Sequence, residues 1–137
     1  MMFLTVAVIL FCITHVLPAL PGVKSVLKAE LGKAYGPLYG ITSLVLLVAM
    51  IWAFRLAERP ELYDPPSWGR HANFALTLIG FLFAGIFLFR GSWRNAIKYP
   101  MALAVLFWGA GHLLANGDWA SVIFISGLMI AALLHAA

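Results

Sequence analysis

The chain has 137 residues, of which 64% are hydrophobic and 10% are charged, and its formal net charge is +4. A soluble domain carries about 45–50% apolar and about 25% charged residues, so the composition excludes an ordinary water-soluble domain. It also excludes intrinsic disorder, which requires low hydrophobicity and high charge. The single cysteine, Cys12, excludes an internal disulfide framework and a cysteine-based zinc site.

Five long stretches of the sequence carry no formal charge: residues 1–23, 34–54, 71–89, 99–117 and 119–137. Each is about as long as the roughly 20 apolar residues that a membrane-spanning helix needs. None shows the apolar–polar alternation of membrane β-strands, and only helices and closed barrels satisfy the backbone in lipid. The sequence therefore predicts an all-α, polytopic membrane helix bundle with five transmembrane helices, folded as a single domain over residues 1–137.

Helix-ending residues lie between these stretches. Pro18, Pro21 and Gly22 mark the end of the first span, and Pro100 suits the first turn of the fourth helix. The segment 116–118 predicts a tight connection in which Gly117 ends one helix and Asp118 caps the next.

The basic residues predict an orientation. The loops after the first and third spans carry Lys24, Lys28, Lys33, Arg90, Arg94 and Lys98, whereas the loop after the second span carries Arg55, Arg59 and Arg70. Short loops rich in Lys and Arg stay in the cytoplasm. The bias of six against three predicts an outer N-terminus and a cytoplasmic C-terminus.

Burying an ionisable side chain inside a membrane costs free energy, so each such residue is a candidate functional residue. Of the four histidines, His71 and His135 are expected at the interfaces, while His15 and His112 fall deep within the first and fourth spans. Counted at about 1.5 Å per residue, they lie roughly 20 Å and 14 Å from the outer edge. Two interpretations are open: each imidazole hydrogen-bonds a neighbouring helix, or the pair ligates a metal.

If the pair ligates a metal, a bis-histidine haem b is the natural cofactor, because imidazole is a common axial ligand and helix bundles hold haem between facing helices. The absence of a CxxCH motif excludes covalent c-type attachment. A bare zinc or copper ion needs more ligands. Cys12, one turn before His15, is either a third ligand or ordinary core.

The arginines of the second loop, among them Arg70, are candidates for pairing with the haem carboxylates. The alternative is a solvated loop in which they face the acidic residues nearby. The net positive charge is explained by loop residues at the membrane surface, so nucleic-acid binding is not expected.

Several motifs together resemble the NnrU family of integral membrane proteins. They are Phe11-x-x-x-His15 with Pro18-Ala19-Leu20, Leu62-Tyr63-Asp64-Pro65-Pro66-x-Trp68-x-Arg70-His71, Tyr99-Pro100-Met101, and Gly111-His112-Leu113-Leu114-Ala115-Asn116-Gly117-Asp118. The resemblance covers nearly the whole chain, and the last motif is the most specific. Bacterial members are often encoded near genes of nitrite and nitric oxide reduction, which implies a bacterial inner membrane and a link to denitrification.

The same family includes the plant 15-cis-zeta-carotene isomerase, which binds haem b and isomerises a carotenoid in a redox-dependent way. Its iron ligands match His15 and His112, and its alternative cysteine ligand corresponds to Gly109 here. The resemblance therefore implies haem b, with His15 and His112 as iron ligands and a lipophilic polyene as substrate.

Three functions are compatible with these residues. The first is a haem-dependent redox isomerase acting on a lipophilic polyene in the bilayer. The second is an electron-transfer or nitric oxide-responsive accessory protein of nitrite and nitric oxide reduction. The third is a cofactor-free membrane scaffold, acting as a homo-oligomer or as a partner of a reductase system.

Overall fold

The computed structural model describes residues 1–89 and 91–136. Within these ranges the chain forms seven α-helices and no β-strand. They are α1 Met2–Val16, α2 Val23–Leu31, α3 Tyr35–Leu56, α4 Gly69–Leu88, α5 Ser92–Ala96, α6 Pro100–Ala115 and α7 Trp119–Ala136. The predicted all-α membrane bundle is confirmed. Among the basic residues used for orientation, Arg90 lies outside the described residues.

Four of the helical stretches, those containing α1, α3, α4 and α7, are long and apolar enough to cross a membrane. The fifth predicted span, α6, is a shorter apolar helix of 16 residues. Large apolar side chains cover the outside of the bundle: Leu44 of α3 is 61% exposed and Leu78 of α4 is 63% exposed. A soluble protein would not expose so many large apolar side chains together, so these surfaces contact lipid.

The five long helices pack in the spatial order α3, α1, α7, α6, α4. Helices α1 and α7 run in the same direction, because Val8 contacts Gly127 while His15 lies beside His135. The other neighbours are antiparallel. We call the end where α1, α4 and α7 finish the inner end, and the opposite end the outer end, following the predicted orientation.

The first helix ends near its predicted end. α1 ends at Val16, just before residues 18–22 that were predicted to end the span, and is followed by a 3-10 turn, Leu17–Ala19, that contains Pro18. Proline cannot donate the hydrogen bond that would extend the helix. Gly22 then adopts a left-handed conformation with φ of 82°, and the exposed helix α2 begins.

The core lies where α1 and α7 meet and is completed by α3. Its fully buried large side chains are Leu4 of α1 and Met50 of α3, with Phe11 and small residues of α7 around them. At the other side of the bundle, α4 and α6 approach closely, because the space beside Gly80 is filled by the carbonyl of Ala104. Small residues let membrane helices pack at short distance.

Candidate functional site

The two deep histidines lie at opposite ends of the bundle. His15 is in the last turn of α1, which ends at the inner end. His112 is in the last turn of α6, which ends at the outer end. The sequence placed them at similar depths because it assumed that both spans cross a core of about 30 Å, whereas α1 ends at Val16 and α6 ends at Ala115, each within one turn after its histidine.

Contacts along α7 give their separation. His135 lies beside His15, whereas Gly109, one turn before His112, faces the segment 125–129 of α7. At about 1.5 Å of rise per residue, the backbones of His15 and His112 are roughly 14–20 Å apart along the bundle. Helix α7 also packs between α1 and α6. The structure does not bring these two imidazoles together.

It does bring together His15 and His135, whose ring centroids are 6.4 Å apart with an interplanar angle of 67°. Tyr39 of α3 lies 5.7 Å from the His15 ring, and Tyr35 stacks on Tyr39 at 6.1 Å. We call these four residues, His15, His135, Tyr39 and Tyr35, the inner cluster. It joins the helix ends of α1 and α7 to the beginning of α3.

The ring of His15 is oriented by its own helix. Its Nδ1 lies 2.9 Å from the backbone oxygen of Phe11, and the two rings stack with centroids 4.1 Å apart. Since a carbonyl oxygen only accepts hydrogen bonds, Nδ1 carries the proton in this contact. The Nε2 atom then keeps a free lone pair, which is the arrangement found in metal-binding histidines.

His112 is prepared in the same way at the outer end. Its Nδ1 lies 2.8 Å from the backbone oxygen of Trp108, and the two ring centroids are 4.4 Å apart. The side-chain amide of Asn116 donates to the backbone oxygen of His112 at 2.8 Å. His112 therefore also has an Nε2 atom available as a ligand.

An apolar cavity of about 380 Å³ lies between the two histidines, bounded by all five long helices. Its wall contains Phe11 on one side and Trp108 on the other, the aromatic partners of His15 and His112. The other lining residues are Leu47, Thr77, Gly80, Phe81, Ala84, Met101, Ala104, Val105 and Leu128. A volume of about 300–1,000 Å³ is typical of small-molecule sites.

Arg70 lies at the outer end, in the first turn of α4. Together with Ser67 and His71 it lines a separate, more polar pocket of about 350 Å³ that also includes Ala115. Arg70 is thus at the same end as His112 and far from the inner cluster. Its pairing with a haem carboxylate stays a prediction.

The most specific sequence motif forms a structural connection at the outer end. The Tyr63 hydroxyl donates to the backbone oxygens of Leu113 and Asn116. The backbone nitrogen of Leu62 donates to the backbone oxygen of Gly117 at 2.7 Å. A side chain at position 117 would collide with the Tyr63 carbonyl. We call Tyr63, Asn116, Gly117 and Asp118 the outer latch.

Asp118 completes the outer latch by capping α7, as predicted. Its carboxylate accepts from the backbone nitrogen of Ser121 at 2.9 Å and from the Ser121 hydroxyl at 2.6 Å. Partial burial acts to raise the pKa of Asp118, but the Ser121 hydrogen bonds and the Arg59 charge outweigh it and lower the pKa. Burial, followed by the charge of Asp118, raises the pKa of Tyr63, so its hydroxyl remains a donor.

Among residues 1–89 and 91–136, no group of three or more His, Cys, Asp or Glu side chains is placed to hold a metal ion. Cys12 is a free, half-buried thiol that donates to the backbone oxygen of Gly127 at 3.4 Å. It contacts α7 and is not part of the inner cluster.

His135 lies exposed in the last turn of α7, where an interfacial histidine was expected, but its contact with His15 was not predicted from the sequence. The signal was present in Pro18. A helix that stops before this proline puts His15 in its last turn, and two helices that cross in the same direction bring their last turns to the same end.

Residues 3–137 match the family model described as "NnrU protein". Neither a curated protein nor a solved structure matches the chain.

Proposed function

The chain belongs to the NnrU family, and from this premise we propose that it is a haem b-binding, redox-active protein of the membrane. One observation carries the proposal. His15 is oriented through its Nδ1 contact with the backbone oxygen of Phe11, which leaves Nε2 available, and Phe11 lines an apolar cavity. Haem iron takes its axial ligands from such imidazoles.

The cavity supports the same proposal. A porphyrin is flat and largely apolar, so its binding requires apolar volume next to the ligating histidine. His15 stacks on Phe11, and Phe11 is part of the cavity wall. An iron-containing porphyrin supplies electron transfer and redox chemistry, while the protein supplies orientation and an environment without water.

The ligand pair expected from the family motifs, His15 with His112, stays a prediction. The two histidines lie in the last turns of α1 and α6, which end at opposite ends of the bundle. His15 is the residue at the inner end that would hold the iron. His112, in the last turn of α6, and Arg70, in the first turn of α4, both lie at the outer end.

The proposal includes the orientation in a bacterial inner membrane, with an outer N-terminus. The lysines of α2 and the basic residues Arg94 and Lys98 support this orientation, because the helix directions put them at the same end of the bundle. Two activities of a bound haem stay predictions: isomerisation of a lipophilic polyene, and electron transfer or a nitric oxide response.

The test is an absorption spectrum of the full chain, purified in detergent and supplied with haem. We expect a Soret band, with split bands after dithionite reduction, and loss of this spectrum in His15→Ala. His71→Ala is the matched control, because His71 lies at the outer end. A featureless visible spectrum after haem addition would overturn the proposal.

Uptake of carbon monoxide by the reduced protein then separates the two activities. A haem that binds carbon monoxide has a displaceable ligand and supports substrate or gas chemistry. A haem that excludes it supports electron transfer.

A further inference from the structure

The exposed helix α2 connects the end of α1 to the beginning of α3, and both of these lie at the inner end of the bundle. It spans nine residues, Val23–Leu31, and none of them is buried. It packs against the flanking 3-10 turns, Leu17–Ala19 and Gly32–Ala34, and against α3. Most of its surface is therefore available for contact with the membrane or with water.

The side chains of α2 are divided between an apolar face and a basic face. At 3.6 residues per turn, Val23, Val26 and Leu27 share one face, and Lys24 and Lys28, four residues apart, share the next. Val23 and Leu27 are half-buried, whereas Val26 is 60% exposed. An exposed apolar side chain beside two lysines is typical of a helix that lies in the membrane interface.

The acidic residue of α2, Glu30, does not offset the two lysines. It lies four residues after Val26 and therefore on the apolar side of the helix. Residues two apart in a helix, such as Lys28 and Glu30, do not face each other. Both lysines are exposed, so their ammonium groups face the surroundings of the protein.

The two basic residues near α5 differ from those of α2, because they are engaged with their own segment. Arg94 donates to the backbone oxygen of Phe87 at 2.9 Å and lies over the Phe87 ring. The Lys98 ammonium lies 5.1 Å from the ring centroid of Tyr99. Lys24 and Lys28 are thus the better candidates for binding a ligand from outside the chain.

The two ends of the bundle differ in side-chain charge. Among the described residues, the inner end has five basic residues and one acidic residue, whereas the outer end has three basic and four acidic residues. A positive excess complements a lipid leaflet with anionic headgroups. An acidic soluble protein would match the charge alone, and the exposed Val26 and Leu31, at 60% and 40%, favour the lipid.

We propose that α2 is an interfacial helix that binds anionic phospholipids through Lys24 and Lys28. Its apolar face, with Val26, lies at the boundary of the acyl chains, and the two lysine side chains extend to the phosphate groups. This binding does not involve haem and goes beyond the proposed function. It holds the connection between α1 and α3 at the membrane surface.

The first experiment measures lipid preference. The full chain is reconstituted in dioleoyl-phosphatidylcholine bilayers with a trace of spin-labelled phosphatidylglycerol or spin-labelled phosphatidylcholine, and electron paramagnetic resonance gives the immobilised fraction of each probe. We expect a preference for phosphatidylglycerol that weakens in high salt and falls by about half or more in Lys24→Gln/Lys28→Gln. Lys24→Arg/Lys28→Arg is the matched control, because it keeps both charges and should keep the preference.

The second experiment measures the depth of α2. Cys12 is the single cysteine, so nitroxide labels are attached to Val26→Cys and Ser25→Cys, each in a Cys12→Ser chain. Neighbouring helix positions point about 100° apart. We expect the label at position 26 to be relaxed more by oxygen, which concentrates in lipid, and the label at position 25 more by a water-soluble nickel chelate.

Two outcomes overturn the proposal. One is a chain that immobilises both lipid probes equally, or whose preference is unchanged in Lys24→Gln/Lys28→Gln. The other is a label at position 26 that is accessible to water, which would make α2 a surface for an acidic soluble partner. Neither measurement uses haem, so the proposed function is tested separately. Circular dichroism of each variant verifies that the helices are retained.

Discussion

The outer latch and the inner cluster differ in how their polar groups are used. At the outer end, the Tyr63 hydroxyl donates to two backbone oxygens of the connection between α6 and α7. The Asp118 carboxylate accepts hydrogen bonds from Ser121. At the inner end, the imidazoles of His15 and His135 meet side by side, and the Nε2 atom of His15 remains free. The outer latch fixes the fold, whereas the inner cluster has unused ligand atoms.

The comparison teaches that part of the most recognisable motif serves the fold. Gly117 and Asp118 belong to the most specific motif of the sequence, and both have a complete structural explanation. A buried or capped group with satisfied hydrogen bonds stabilises the protein but has little capacity left for a ligand. His135 lies outside every motif and contacts His15.

The largest expected effect is that of Gly117→Ala. The added Cβ would overlap the backbone carbonyl of Tyr63, which cannot move without breaking the latch. We expect a loss of about 2–4 kcal/mol in the free energy of unfolding, measured by thermal unfolding in detergent. Gly85→Ala is the control, because no described atom other than its chain neighbours and the nearby backbone of its own helix lies within 4 Å of the Cβ position there. Equal melting temperatures of the two variants would show that the predicted steric role of Gly117 is wrong.

A smaller effect is expected for Tyr63→Phe. The substitution removes the hydroxyl that donates to Leu113 and Asn116 and leaves two carbonyl oxygens without it. We expect a loss of about 1–2 kcal/mol in the same unfolding measurement, with the haem spectrum unchanged. Tyr99→Phe, at the other end of the bundle, is the control, because its hydroxyl has no hydrogen-bond partner within residues 1–89 and 91–136. If it destabilises as much as Tyr63→Phe, the latch does not depend on this hydroxyl.

The smallest effect concerns Asp118 and pH. Its pKa is lowered in the folded protein, so its contribution is complete above the unfolded value of about 4 and disappears as the pH falls through the folded value. We expect the melting temperature of the unaltered chain to fall in acid more than that of Asp118→Asn. Because Asp118 is only partly buried and remains in contact with solvent, the difference should stay below about 1 kcal/mol.

Asparagine is the matched replacement, since it also caps helices but does not titrate. Ser121→Ala, which removes one of the hydrogen bonds that lower the Asp118 pKa, should weaken the acid sensitivity. An identical acid response in all three proteins would show that Asp118 does not contribute to it.

Much of the fold was accessible from the sequence. Uncharged stretches identified the membrane helices, and Asp118 was recognised as a cap because capping depends on residues within one turn. Pro18 was identified as one of the residues that end the first span, but the last residue of α1, Val16, was not predicted. The added helices α2 and α5 were not predicted, since short exposed helices between spans carry no long apolar run.

The sequence by itself determined that this is a membrane helix bundle of the NnrU family, because hydropathy and local motifs are properties of consecutive residues. Only the tertiary structure decided which histidines meet. That outcome depends on the spatial order α3, α1, α7, α6, α4 and on the residue at which α1 stops. His15 and His135 are separated by nearly the whole chain, and only the parallel packing of their two helices brings their rings together.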